Sequence, residues 1–219
     1  MTHRNPCQTT MTRHTTTLRS VLSGPVSSGL AAFILASFVV AAASASIATP
    51  AAAQDIDRLV ERHADEAIAY RHQIHENPEL GNRETETAAL VAEHLRGLGF
   101  DEVRTGVAHT GVIGVLRGGR PGPVVAVRAD MDALPITENT GLPFASTKRT
   151  TYAGQEVGVM HACGHDIHTS VGMGVASVLA DMKDDLPGTV LFIFQPAEEG
   201  APPGEEGGAL MMLEEGAFD

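Results

Sequence analysis

Three short stretches of this chain gather side chains that can bind a metal or move protons. The densest is His161-Ala-Cys163-Gly-His165-Asp166-Ile-His168. A thiolate and an imidazole two residues apart, with glycine between them, can both turn toward one ion where a loop enters a helix. Both donors suit zinc and similar divalent metals. The opposing reading, a buried cysteine beside surface histidines, needs three histidines and one cysteine to fall within eight residues by accident. His161 and His168 carry less weight: each can support the site, face a substrate or stand in solvent. The second stretch is Arg128-Ala-Asp130-Met-Asp132. A carboxylate there can bind a metal or orient a histidine that does, although acids after a strand also serve as plain turn formers. The third is Gln195-Pro-Ala-Glu198-Glu199-Gly200. Adjacent carboxylates diverge, so one can ligate a metal while its neighbour faces a bound water. Amide hydrolysis needs a base for that water and an acid for the departing amine, and one glutamate can do both in turn. The alternative, a solvated acidic loop, suits Glu205-Glu206 better.

These stretches need elements to hold them. Residues 55–74 carry an apolar stripe (Ile56, Leu59, Val60, Ala64, Ala67, Ile68) at helical spacing, with Asp55 as the expected cap. Asn77-Pro78 and Gly81 break the pattern, and a second helix is expected over 84–96, ended by Gly97 and Gly99. The period then shortens. Residues 111–116 and 124–128 are apolar runs separated by Gly118-Gly-Arg-Pro-Gly-Pro123, read as two strands joined by a turn. Residues 131–160 show no clear period and read as loop. A third helix is expected over 164–182, a strand over 189–194, and a last helix from 207. Near-continuous apolar strands alternating with helices give an α/β protein whose sheet is covered by helices on both faces. The chemistry-bearing stretches follow strands or open a helix, the edge of an open α/β sheet where ligands bind.

The chain has 219 residues, a hydrophobic fraction of 43%, a charged fraction of 19% and a formal net charge of −12. That mix builds a globular core, and the acidic balance repels a phosphate backbone. With no Trp and only 4% aromatics, a base-stacking surface is also excluded. Residues 1–53 read as an address rather than a domain. Arg13 and Arg19 precede the apolar run 29–43, and small residues lead to Ala51-Ala52-Ala53, the pattern of a secretory signal peptide cleaved after Ala53. The apolar run falls short of the roughly 20 residues that span a bilayer. The expected location is therefore periplasmic or extracellular. Cys7 would leave with the leader, so Cys163 would be a lone thiol in an oxidising compartment, either buried and inert or held by a task. No phosphate-binding glycine loop ending in Lys-Ser/Thr, no Gly-x-Ser-x-Gly elbow and no His-Glu-x-x-His occurs.

Five stretches taken together resemble the M20 metallopeptidase family, in its amidohydrolase branch of hippurate hydrolases, auxin-conjugate hydrolases and N-acetyl amino acid deacetylases. They are residues 71–80 (Arg-His-Gln-Ile-His-Glu-Asn-Pro-Glu-Leu), 128–136 (Arg-Ala-Asp-Met-Asp-Ala-Leu-Pro-Ile), 160–166 (Met-His-Ala-Cys-Gly-His-Asp), 194–200 (Phe-Gln-Pro-Ala-Glu-Glu-Gly) and 207–219. The resemblance implies a zinc-peptidase-like catalytic domain over 54–219 that is incomplete, and a site for two divalent ions (zinc, manganese, cobalt or nickel). It implies Cys163 as their bridge, His165 and Glu199 as further ligands, and Glu198 as general base and then acid. Asp130 would steady the site from behind, with Asp132 and His161 in support. The implied substrates are small N-acyl amino acids, with dipeptides as the alternative, and the implied full-length form is a homodimer. Enzymes of the family are about twice this length, beyond one ordinary domain, and carry two further ligand histidines and a dimerisation domain. The chain is therefore expected to be an N-terminal part with too few ligands for two metals, and a metal-binding remnant without catalysis is the third reading.

Overall fold

The structure is a computed structural model that describes the backbone over residues 50–218 and side chains from residue 55. The leader expected over 1–53 lies almost wholly outside the described residues. Among them, no helix is long and apolar enough to cross a membrane.

The first helix, α1 (Pro50–Glu76), starts earlier than its apolar stripe implied. Proline suits a first helical position because its missing N–H has no intrahelical partner there. Asp55 consequently lies inside the helix and pairs with Arg58 at 2.6 Å instead of capping it. Helix α2 (Thr85–Gly97) follows, then strands β1 (Glu102–Val107), β2 (Gly111–Arg117) and β3 (Arg120–Asp130). A small hairpin, β4 (Arg149–Tyr152) with β5 (Gln155–Gly158), precedes α3 (His165–Asp181). Strand β6 (Pro187–Gln195) and the short α4 (Gly208–Glu214) complete the order.

The main sheet runs β1-β2-β6-β3, with β6 parallel to β3 and antiparallel to β2. The connection is shorter than the turn expected over 118–123, because β3 already starts at Arg120; Gly118 and Gly119 therefore join two strands that do not pair, and β6 inserts between them. The physical reason is the side-chain parity of β6. Val190, Phe192 and Phe194 enter one core with Val91, Ala92 and Leu95 of α2 and Met173 and Ala176 of α3. Leu191 and Ile193 point to the other face, against Ile113 of β2 and Met211 and Met212 of α4. A strand apolar on both faces belongs at the centre of a sheet. Helices thus cover both faces, but unequally, since α4 is short. Strand β3, also expected to be buried, is an edge strand: Val124 and Val125 are 71% and 53% exposed. Strand β1 and the hairpin β4–β5 escape the apolar pattern because their polar residues face solvent, so that part of the stretch expected as loop over 131–160 is a hairpin.

Helix α2 has an unusual start. Glu84, the residue before it, makes no capping bond. Instead the carboxylate of Glu79 folds back and accepts from the backbone N–H groups of Glu86 (3.0 Å) and Thr87 (2.9 Å) and from the Thr85 hydroxyl (3.1 Å). A buried anion on free N–H groups at a helix start is favourable on both hydrogen-bond and dipole grounds. Glu79→Ala is expected to lower the unfolding free energy by about 1–2 kcal/mol. Urea denaturation tests this, and an unchanged midpoint would remove the capping role.

Candidate metal centre

Because β3 and β6 are parallel neighbours, the segments leaving their C-terminal ends emerge side by side. One carries Asp130 and Asp132, the other Glu198 and Glu199. The start of α3 brings His165 between them, and the preceding turn brings Cys163. That turn requires glycine: Gly164 sits at φ 94°, in the left-handed region that side chains resist. The loop of Glu198 and Glu199 is seated from below by Gly81, where an added Cβ would lie 2.4 Å from the Gly200 carbonyl oxygen.

His165 is 2% exposed and oriented through one ring nitrogen. Its Nδ1 faces two acceptors, the Asp132 carbonyl at 2.8 Å and the Asp132 carboxylate at 3.1 Å, so Nδ1 carries the proton. In the neutral ring Nε2 then presents its lone pair, the arrangement a metal ligand needs. The other Asp132 oxygen accepts the Glu199 N–H at 2.9 Å. Around Nε2 stand the carboxylates of Asp130 (3.5 Å), Glu198 (3.7 Å) and Glu199 (3.8 Å). Ligand atoms of Cys163, His165 and Glu199 all lie within 4.8 Å of one another. Thiolate, imidazole and carboxylate at this separation fit a zinc-like ion.

The electrostatics agree. A hydrogen bond to Glu199, partial desolvation, and the negative charges of Glu199, Glu198 and Asp130 push the Cys163 thiol up to about 11. A divalent cation held among those carboxylates would invert that field and favour the thiolate. Burial opposes protonation of His165, but the hydrogen bond and charge of Asp132, with the charge of Asp130, outweigh it and raise its pKa.

The carboxylate on the Nδ1 side of His165 is thus Asp132. Asp130 stands on the Nε2 side, where it also pairs with His168 (2.6 Å) and Arg128 (3.1 Å). Asp130, His165 and His168 form a second group whose ligand atoms converge within 4.8 Å. His161 is not in either group: it is buried, neither ring nitrogen has a partner among the described residues, and burial pulls its pKa down to about 4. Cys163 is exposed, so the lone thiol is not an inert core residue. Glu205 is exposed, in keeping with the solvated loop expected there, and pairs with Arg83 at 2.6 Å and Asn82 at 3.1 Å, which lower its carboxyl to about 2.

Glu84 had no role in the sequence beyond a helix boundary. It is fully buried and joins three segments: Oε1 accepts the Ala197 N–H at 2.8 Å and Oε2 the Thr110 hydroxyl at 2.5 Å. It thereby holds the root of the Glu198–Glu199 loop. No spacing rule flags such a residue, since its meaning comes from the chain segments that meet there.

Residues 126–219 match the family described as Peptidase family M20/M25/M40. Thermostable carboxypeptidase 1 of Saccharolobus solfataricus is 49% identical over 156 residues, covering 71% of this chain and 37% of that protein. The N-acyl-L-amino acid amidohydrolase of Geobacillus stearothermophilus is 42% identical over 166 residues, 76% of this chain and 41% of that protein. Among solved structures, the YXEP protein of Bacillus subtilis, described as a dinuclear metal-binding peptidase of the M20 family, superposes with a TM-score of 0.63 at 42% identity, covering 73% of this chain and 41% of that one. The fold and the converging donors define an α/β protein with a candidate metal-binding centre. The chain belongs to the M20 family, and it spans about two fifths of the length of the curated relatives it matches.

Burial raises the Glu84 carboxyl above its ordinary value, against the pull of its bonds to Thr110 and Ala197. Its protonated form therefore favours the folded state, and that contribution is lost as pH rises through the folded-state pKa. Glu84→Gln has no such proton to lose. The stability of the wild type relative to Glu84→Gln is expected to fall as pH climbs from the usual carboxylate range. Urea midpoints across a pH series measure it, and a pH-independent difference would contradict it.

Proposed function

We propose that this chain carries the N-terminal part of the catalytic domain of a metal-dependent amidohydrolase acting on N-acyl amino acids. The observation that carries this reading is the convergence of Cys163, His165 and Glu199 within 4.8 Å, with the Glu198 carboxylate 3.7 Å from the same imidazole nitrogen. Bound divalent metal, with zinc, manganese, cobalt and nickel as the candidates, would supply Lewis acidity and an acidified water. Cys163, His165 and Glu199 would hold it, and Asp132 would keep His165 in the ligating tautomer.

Glu198 is suited to the proton work. Its side chain is 42% exposed, against 24% for Glu199, so it faces the open side of the site while its neighbour is anchored by the bond to Asp132. Glu198 takes a proton from the attacking water and gives it to the departing amine nitrogen. The carboxypeptidase from S. solfataricus supports a second substrate class, peptides opened at their C-terminus. Both classes release an amino acid from an amide, so the same proton transfers serve each. The leader pattern in 1–53 supports export to a periplasm or the exterior, and the family resemblance supports a homodimeric full-length form.

Hippurate and N-acetyl amino acids, offered against free dipeptides with added zinc or manganese, separate the two substrate classes. Glu198→Gln is expected to bind metal like the wild type and to lose hydrolysis by at least ~100-fold. Hydrolysis that survives this change, or that persists after chelation, would overturn the reading.

A further inference from the structure

The last turns of α1 take no part in the ligand set, yet they hold a buried polar network beside it. His75 is 3% exposed and lies between two carboxylates. Its Nδ1 is 2.8 Å from Asp166 and its Nε2 3.1 Å from Glu138. Each ring nitrogen thus faces one carboxylate, and the ring is held between the two. The same Asp166 oxygen accepts Arg71 Nε at 2.9 Å. Asp166 is 1% exposed and adjoins His165 in the first turn of α3. Glu138 in turn organises the segment that follows Asp132: it accepts the Ser146 N–H at 2.6 Å and the Thr140 hydroxyl. Phe144 of that segment stacks on His72 (centroids 3.9 Å apart, planes 15° apart), lies 4.8 Å from the Arg71 guanidinium carbon and meets His75 edge-on.

One helical turn thus grips two different supports of His165. Through Asp166 it fixes the start of α3, which carries His165 itself. Through Glu138 and Phe144 it fixes the segment that begins at Asp132, the partner of His165 Nδ1. Relative displacement of these supports would move Nε2 away from Cys163 and Glu199.

We propose that His75, with Arg71 and Phe144, is a positioning residue for the metal centre: it couples the start of α3 to the 132–146 segment and so sets the affinity of the Cys163–His165–Glu199 ligand set. The inference rests on the metal-centre reading above. Loss of partners that orient metal ligands commonly weakens affinity by about 10–100-fold. A purely structural role for the network would instead lower affinity only in proportion to overall stability.

The test is titration of the chain with cobalt(II), read by the thiolate-to-metal absorption band that Cys163 would give. The variants are His75→Ala, Phe144→Ala and, as a core control away from the centre, Leu116→Val, with the urea midpoint of each measured alongside. Leu116 is buried but pairs with Val190, toward the opposite end of the sheet from the centre. His75→Ala and Phe144→Ala are expected to weaken cobalt binding at least ~10-fold, with Leu116→Val unchanged. Because Phe144 is only partly buried, its variant carries the test if His75→Ala does not fold. Wild-type affinity in both network variants, or an equal loss in Leu116→Val, overturns the proposal. A wild type without the thiolate band fails differently: it removes the metal centre, and the inference with it.

Discussion

The carboxylate of Asp132 is the constraint on which the rest of the site depends. One oxygen receives the proton of His165 Nδ1 and the other the backbone N–H of Glu199. It is 1% exposed, so neither bond competes with bulk water. Three segments distant in sequence are thereby referenced to one rigid group at the end of a strand. A chain that only collected Cys163, His165 and Glu199 by composition would leave His165 free to choose the wrong tautomer. The sheet makes the arrangement achievable: parallel neighbours lie about 4.8 Å apart, so loops leaving their C-terminal ends start within reach of one another.

Buried acids beneath the site follow the same logic. Glu79 and Glu84 are both inaccessible, and each is satisfied by backbone N–H groups and a hydroxyl rather than by a cation. Glu79 fixes the start of α2, and Glu84 ties that start to Ala197. The acids of the region are thus of two kinds. Those satisfied by backbone N–H groups and hydroxyls build the frame, while Asp130, Glu198 and Glu199 stand around His165 Nε2.

Much of this was legible beforehand because local pattern and tertiary role coincide in it. Helices α2 and α3 have apolar stripes that face the core they were expected to face, and the runs of β2 and β6 are apolar on both sides because both sides are covered. The Cys-Gly-His and Glu-Glu clusters were readable because ligand chemistry restricts residue type and spacing together. What escaped has a physical reason in each case. The edge strand β1 shows only weak alternation because its outer residues meet water. The exposure of Val124 and Val125 could not follow from residues that look like any buried strand, since edge or centre is decided by which other strand arrives, here β6. Asp130 and Asp132 are chemically identical and two apart, a spacing that a strand's pleat puts on one face; Asp132 reaches Nδ1 because β3 ends at Asp130 and the chain turns beyond it. Glu84 and His75 owe their meaning to partners 26 to 113 and 63 to 91 residues away.

Strand β3 has a further consequence. Among the described residues its outer edge has no partner, and its exposed valines present apolar surface beside unpaired backbone groups. An encounter between two such edges is bimolecular, whereas the internal packing of the chain is not. Encounter between such edges therefore slows on dilution, while changes that strengthen the core leave its rate untouched.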